Sequence, residues 1–176
     1  MKRIIALSSV AAMLITVQSC NVNTAGQEQK ASVEMNPNDS LFQVNDGGYS
    51  FAIILPKDLM INHSPNIKVN TATGELHIQV GEQFWIVASQ EKSDISVIKS
   101  IMNDDMLFTN RIVEENTTSI MYQRILPDGS EYDYSYCNFS EVGGKQYVFK
   151  TCEEGEFSMD SVTRMKEAIC SVRASV

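Results

Sequence analysis

Ser96 and Lys99, in Ser96-Val97-Ile98-Lys99, have the Ser-x-x-Lys spacing of an activated nucleophile. On a helix, that spacing sets the lysine one turn from the serine, where it can take the hydroxyl proton for acyl transfer. The companion Lys-Thr-Gly is absent and Ser93-Asp94-Ile95 lacks the asparagine of Ser-Asp-Asn, so the spacing is read as chance. His63 and His77 are the only histidines, and no Cys or Asp stands at metal-ligand spacing from either, so both are expected to be surface or strand histidines. Asp104-Asp105 and Glu114-Glu115 could offer oxygens to calcium, yet neither sits in an alternating acidic loop and both read as solvated charge. No Gly-rich phosphate loop appears. No catalytic residue, metal ligand or cofactor is implied.

Tyrosines offer the other chemistry. "SIMYQRIL" at 119–126 and "EYDYSYCNF" at 131–139 read as strands joined by Leu126-Pro127-Asp128-Gly129-Ser130. Proline presets φ and glycine accepts the left-handed position, which specifies a tight hairpin. With Pro127, Asp128 and Gly129 as the loop, Tyr122 falls opposite Tyr134 and Arg124 opposite Tyr132. One face then carries Tyr122, Tyr132, Tyr134 and Tyr136, either as a binding face or as rings packed beneath a helix.

An address precedes these elements. Lys2 and Arg3 lead, the apolar run Ile4 to Val17 follows, and Gln18 and Ser19 close it, the three-part build of an export signal. At about 14 residues, the run falls short of the roughly 20 that span a bilayer. Val17-Gln18-Ser19-Cys20 resembles the lipobox of bacterial lipoproteins: an aliphatic residue, a tolerant position, a small residue and then cysteine. The resemblance implies removal of residues 1–19 and a thioether-linked diacylglycerol on Cys20 as the mature N-terminus. Two or more acyl chains, palmitate among them, hold a protein stably on a membrane at about 0.8 kcal/mol per buried CH₂.

Without residues 1–19 the chain loses Lys2 and Arg3, and its net charge moves from −8 to −10. An acidic chain without a dense basic patch is a poor match for nucleic acid or anionic headgroups. Residues 20–46, polar and without a sustained apolar period, read as a flexible tether. Within them Asp39-Ser40-Leu41 resembles an Asp-Ser/Thr-apolar acceptor of bacterial envelope O-glycosylation, which makes Ser40 a candidate site. Asn21 lacks the aspartate that retains some lipoproteins in the inner membrane, so the outer membrane, facing the periplasm, is the expected location.

Residues 47–176 are expected to form one α+β domain. Tyr49 to Leu55 alternates at period two and stops at Pro56; Ile67–Val69 and Leu76–Val80 flank "NTATGE"; Phe84 to Ala88 is a short apolar run. In "SDISVIKSIMNDD" the spacing of Ile95, Ile98, Ile101 and Met102 predicts an amphipathic helix behind Ser93 as N-cap. Strands follow at 111–115, 119–126, 131–139 and 145–151, and Met159, Val162, Met165, Ile169 and Val172 mark a closing helix. This order, with the opening "GGYSFAIILPKD", resembles the PsbP-like fold family over about residues 47–173. That resemblance implies an antiparallel sheet flanked by helices in an α/β/α sandwich, and no catalytic signature transfers with it.

Modification of Cys20 would leave Cys137, Cys152 and Cys170, an odd number in an oxidising compartment. With Gly144-Lys145 as the turn, Cys137 lies opposite Cys152 at about 5.5 Å, within bridging range. With Gly143-Gly144 it faces Lys150 instead. A Cys137–Cys152 bridge is expected, with Cys170 as a buried thiol; the alternative is three reduced apolar fillers. The leading functional expectation is a lipid-anchored, non-catalytic envelope module that binds another envelope protein or a small ligand. An immunity or inhibitor protein that neutralises a basic toxin or enzyme is the second reading, and a hydrolase with an unrecognised site the third.

Overall fold

The computed structural model describes residues 39–175; the expected leader, Cys20 and the tether up to residue 38 lie outside the described residues. The described chain is α+β, with antiparallel pairing throughout.

Strand β1 (Asp39–Asp46) pairs over its whole length with β2 (Tyr49–Pro56). This corrects the expected tether, since residues 39–46 belong to the fold. The two-residue turn Gly47-Gly48 has positive φ at both positions, the twist that matches a hairpin. Phe42 and Val44 lie opposite Ile53 and Phe51, and Val44 is 2% exposed. Ser40, the candidate glycosylation residue, lies opposite Leu55 on this strand and is half-buried. Short β10 (Arg173–Ala174) takes the other edge of β2 and completes a three-stranded sheet, β1-β2-β10. The four-residue helix α1 (Lys57–Met60) follows β2 directly.

The remaining strands form a seven-stranded sheet: β3 (Asn66–Val69), β4 (Leu76–Gln79), β5 (Trp85–Ser89), β6 (Thr109–Glu115), β7 (Ser119–Ile125), β8 (Glu131–Val142) and β9 (Lys145–Thr151). Their order is β3-β4-β5-β9-β8-β7-β6. Helix α2 (Ile95–Asp104) connects β5 to β6. Its N-cap is Asp94, one residue after the expected Ser93: Asp94 keeps extended backbone and its carboxylate accepts from the Ser96 N–H at 2.8 Å, a charge-assisted cap. Helix α3 (Met159–Cys170) starts at Ser158, whose hydroxyl accepts from the Ser161 N–H at 3.2 Å.

Successive strand residues face opposite sides of a sheet, and here each side has its own core. Ile120, Cys137 and Val148 pack with Met102 of α2, joined by Ile95, Ile98, Tyr122 and Phe139. Their neighbours in sequence, Met121, Tyr136, Tyr147 and Phe149, enter the larger core with Val162, Met165 and Ile169 of α3 and Phe51, Ile53 and Leu55 of β2. Phe51 and Phe149 are fully buried, each stabilising by about 2–3 kcal/mol relative to exposure.

Candidate functional site

The β7–β8 hairpin closes between Leu126 and Ser130, with the Leu126 N–H donating to the Ser130 carbonyl at 2.9 Å. Ile125 then lies opposite Glu131, but Arg124 lies opposite Asp133, so Tyr132 bulges out. The Arg124 Nε donates to Asp133 Oδ1 at 2.6 Å and a terminal nitrogen donates to Oδ2. A two-point ion pair outweighs continued regular pairing, and the register beyond it moves by one. The moved register splits the expected tyrosine face. Tyr122 lies opposite Ser135 and packs on the α2 side, Tyr134 and Tyr136 on the α3 side, and Tyr132 is exposed at the bulge. Tyr134 uses its hydroxyl to accept from Gln123 at 2.9 Å.

Around Arg124 the side chains form a braced cluster. Its guanidinium carbon lies 5.0 Å from the Phe108 ring centroid and 5.4 Å from that of Tyr132, and the two rings stack at 4.8 Å. Hydrogen bonding to the Asp133 carboxylate raises the Arg124 pKa, so the cation is fixed. The Tyr132 hydroxyl donates to Glu156, which raises the tyrosine pKa. The Phe108 backbone is held by Asp105, whose carboxylate accepts from the N–H groups of Leu107 at 2.9 Å and Phe108 at 3.1 Å and from the Asn110 amide at 3.2 Å.

That bracing presents an apolar tip. Met106 is 96% and Leu107 71% exposed, and Ile101 on the last turns of α2 is 62% exposed. The turn held by these bonds carries large exposed apolar side chains beside an Arg and two aromatic rings, and aromatic residues, Met and Arg are the types enriched at protein interfaces. Arg124 entered the sequence reading only as the residue opposite Tyr132, and Asp133, Phe108, Met106 and Leu107 were not singled out. The available signal was Met106-Leu107 directly after the helix-ending Asp104-Asp105, an apolar pair with no strand or helix of its own.

The other motif residues go elsewhere. Ser96 donates to Asp94 and Lys99 to Glu115, so serine and lysine do not address one another. His77 Nδ1 accepts from the Trp85 indole at 3.1 Å, and His63 packs against Gly81. Among the described residues, no three His, Cys, Asp or Glu side chains converge on a metal position. Glu114 pairs with Lys166 of α3 and Glu115 with Lys99 of α2. A surface cleft of about 460 Å³ is lined by polar side chains of both signs, including Glu91, Lys92, Glu141 and Lys145. Lys145 and Gln90 there both donate to the Gly48 carbonyl, at 2.7 and 2.8 Å. This ties the β1–β2 turn to the larger sheet.

The expected Cys137–Cys152 bridge does not form. Val142 lies opposite Lys145 across the Gly143-Gly144 turn, which places Cys137 opposite Lys150. Cys152 follows the end of β9, its N–H donates to the Trp85 carbonyl at 2.9 Å, and its side chain joins the α3-side core while Cys137 lies on the α2 side. Cys170 is exposed, not buried as expected, because one residue past Ile169 rotates it about 100° away from the core.

No protein-family model, characterised protein or solved structure matches this chain.

Proposed function

We propose that this chain is a lipid-anchored, non-catalytic protein of the bacterial envelope, held at Cys20 in the outer membrane, whose domain binds another envelope protein. Its domain is read as a PsbP-like α/β/α sandwich, a reading supported by α2 and α3 packing on opposite sides of the seven-stranded sheet. The observation that carries the binding function is the braced, exposed pair Met106 and Leu107 beside the Phe108–Tyr132–Arg124 stack. Aspartate at both positions of the pair would add two charges and remove two apolar anchors without touching either core.

The test uses the full chain solubilised in detergent with its envelope. A protein retained by the parent and lost with Met106→Asp/Leu107→Asp supports the reading; equal retention by both sinks it. The anchor is tested separately by labelled fatty acid, which should enter the parent and not Cys20→Ala.

A further inference from the structure

We propose that β6 is a self-association edge: two copies of this chain pair β6 against β6, antiparallel, about a twofold axis between Ile112 and Val113. This inference stands apart from the partner patch, since it uses neither Met106 nor Leu107.

Among the described strands, β6 ends the seven-stranded sheet, and every residue of it except Asn110 is exposed. Ile112 and Val113 are 45% and 41% exposed at its centre. An unpaired edge is a template for another strand unless proline, lysine, inward charge or a bulge that twists the edge away blocks it, and β6 carries one such device, the bulge at Val113. "TNRIVEE" contains neither proline nor lysine. Its acids lie on the sheet faces, Glu114 paired with Lys166 of α3 and Glu115 with Lys99 of α2.

Charge and face together select the second copy as occupant. Arg111 lies opposite Gln123, to which it donates, and 3.7 Å from the Glu131 carboxylate; Gln123 bonds Tyr134 on the α3 side, and Glu114 lies opposite Met121 of the α3-side core. Residues three apart on a regular strand face opposite ways. The bulge at Val113 puts Arg111 and Glu114 on the same face. A twofold between Ile112 and Val113 then sets Arg111 of each copy opposite Glu114 of the other, on one face, twice. It also sets Ile112 against Val113 twice at the centre. An axis through Val113 would instead match Arg111 with Glu115, which lies on the α2 side opposite Ile120. An axis through Ile112 would match Arg111 with Val113. Only the register between them satisfies both charge and face, and opposite charges directly across a strand pair stabilise it while like charges oppose it.

The experiment is sedimentation equilibrium of the full chain in density-matched detergent, at up to about 100 μM. The parent should dimerise. Arg111→Glu and Glu114→Arg, both at exposed positions, should each raise the dissociation constant about tenfold or more by creating two like-charge pairs. The double variant Arg111→Glu/Glu114→Arg restores the pairing in reverse and should recover the dimer. A parent that stays monomeric would assign the bulge the role of deterring edge pairing and overturn the proposal. So would a dimer insensitive to both single changes, or a double variant no better than the singles.

Discussion

Arg124 and Asp133 face each other across β7 and β8 in a two-point ion pair, and the carboxylate is 1% exposed while the arginine side chain is 17% exposed. Removing the guanidinium leaves a buried negative charge without its partner. Arg124→Met should therefore lower the unfolding free energy by about 3 kcal/mol, read from urea titration. The double variant Arg124→Met/Asp133→Leu should lose less than the single, because no lone charge remains. A double loss equal to the sum of the two single losses would show that the residues act independently.

How much of this was legible in the sequence depended on whether one face or a tertiary partner decided the outcome. The stripe Val162, Met165 and Ile169 announces α3 because all three positions meet the same core. Strand β1 escaped notice because it sits at a sheet edge, and its inward residues Phe42 and Val44 are too few among polar neighbours to show a period. Two-residue β10 exists only because β2 is there to receive it. The site was hidden for a related reason. The position of the Tyr132 bulge follows from Arg124 choosing Asp133 over its regular opposite, a side-chain preference that alternation cannot reveal.

The cysteines should differ sharply in reactivity. Burial pushes the Cys137 thiol up to about 12 and raises Cys152 as well, so neither supplies the thiolate that attacks a maleimide near neutral pH. In the Cys20→Ser chain, native labelling should reach Cys170 promptly and the other two only after unfolding, as peptide mass spectrometry reads directly. A Cys137–Cys152 cross-linked peptide under non-reducing conditions would contradict the observed register.

Two glycines separate backbone strain from crowding. Gly47 has φ +58°, and a Cβ there would lie 2.4 Å from Val69 Cγ2; Gly74 has φ +75° with nothing within 4 Å. Alanine at Gly74 should cost about 1–2 kcal/mol from the left-handed backbone alone. Alanine at Gly47 should cost a further 1–3 kcal/mol or so from overpacking. Adding Val69→Ala should return part of the Gly47→Ala loss and none of the Gly74→Ala loss, measured as urea midpoints.

Asp105 is expected to make the apolar tip at Met106 and Leu107 depend on pH. Burial works against its carboxylate, but the N–H groups of Leu107 and Phe108 and the Asn110 amide outweigh it, so its pKa is lowered. A lowered folded value means that the carboxylate form favours the fold. The stabilisation is fully present above the unfolded value of about 3.9 and is lost as pH falls through the lower folded value. Hydrogen exchange at Leu107 and Phe108 should therefore stay slow at neutral pH and quicken, relative to the intrinsic rate, only in strong acid. Asp105→Ala should bring that fast exchange to neutral pH, with a local loss of about 1 kcal/mol from the missing acceptor. Asp105→Asn retains an acceptor oxygen without the charge, and should fall between the two and show no change across the acid range. Because none of these changes alters Met106 or Leu107, weaker retention by Asp105→Ala of any protein captured through the proposed patch would mean that the tip acts through its fixed geometry. Unchanged exchange at Leu107 and Phe108 in that variant would remove Asp105 as the brace.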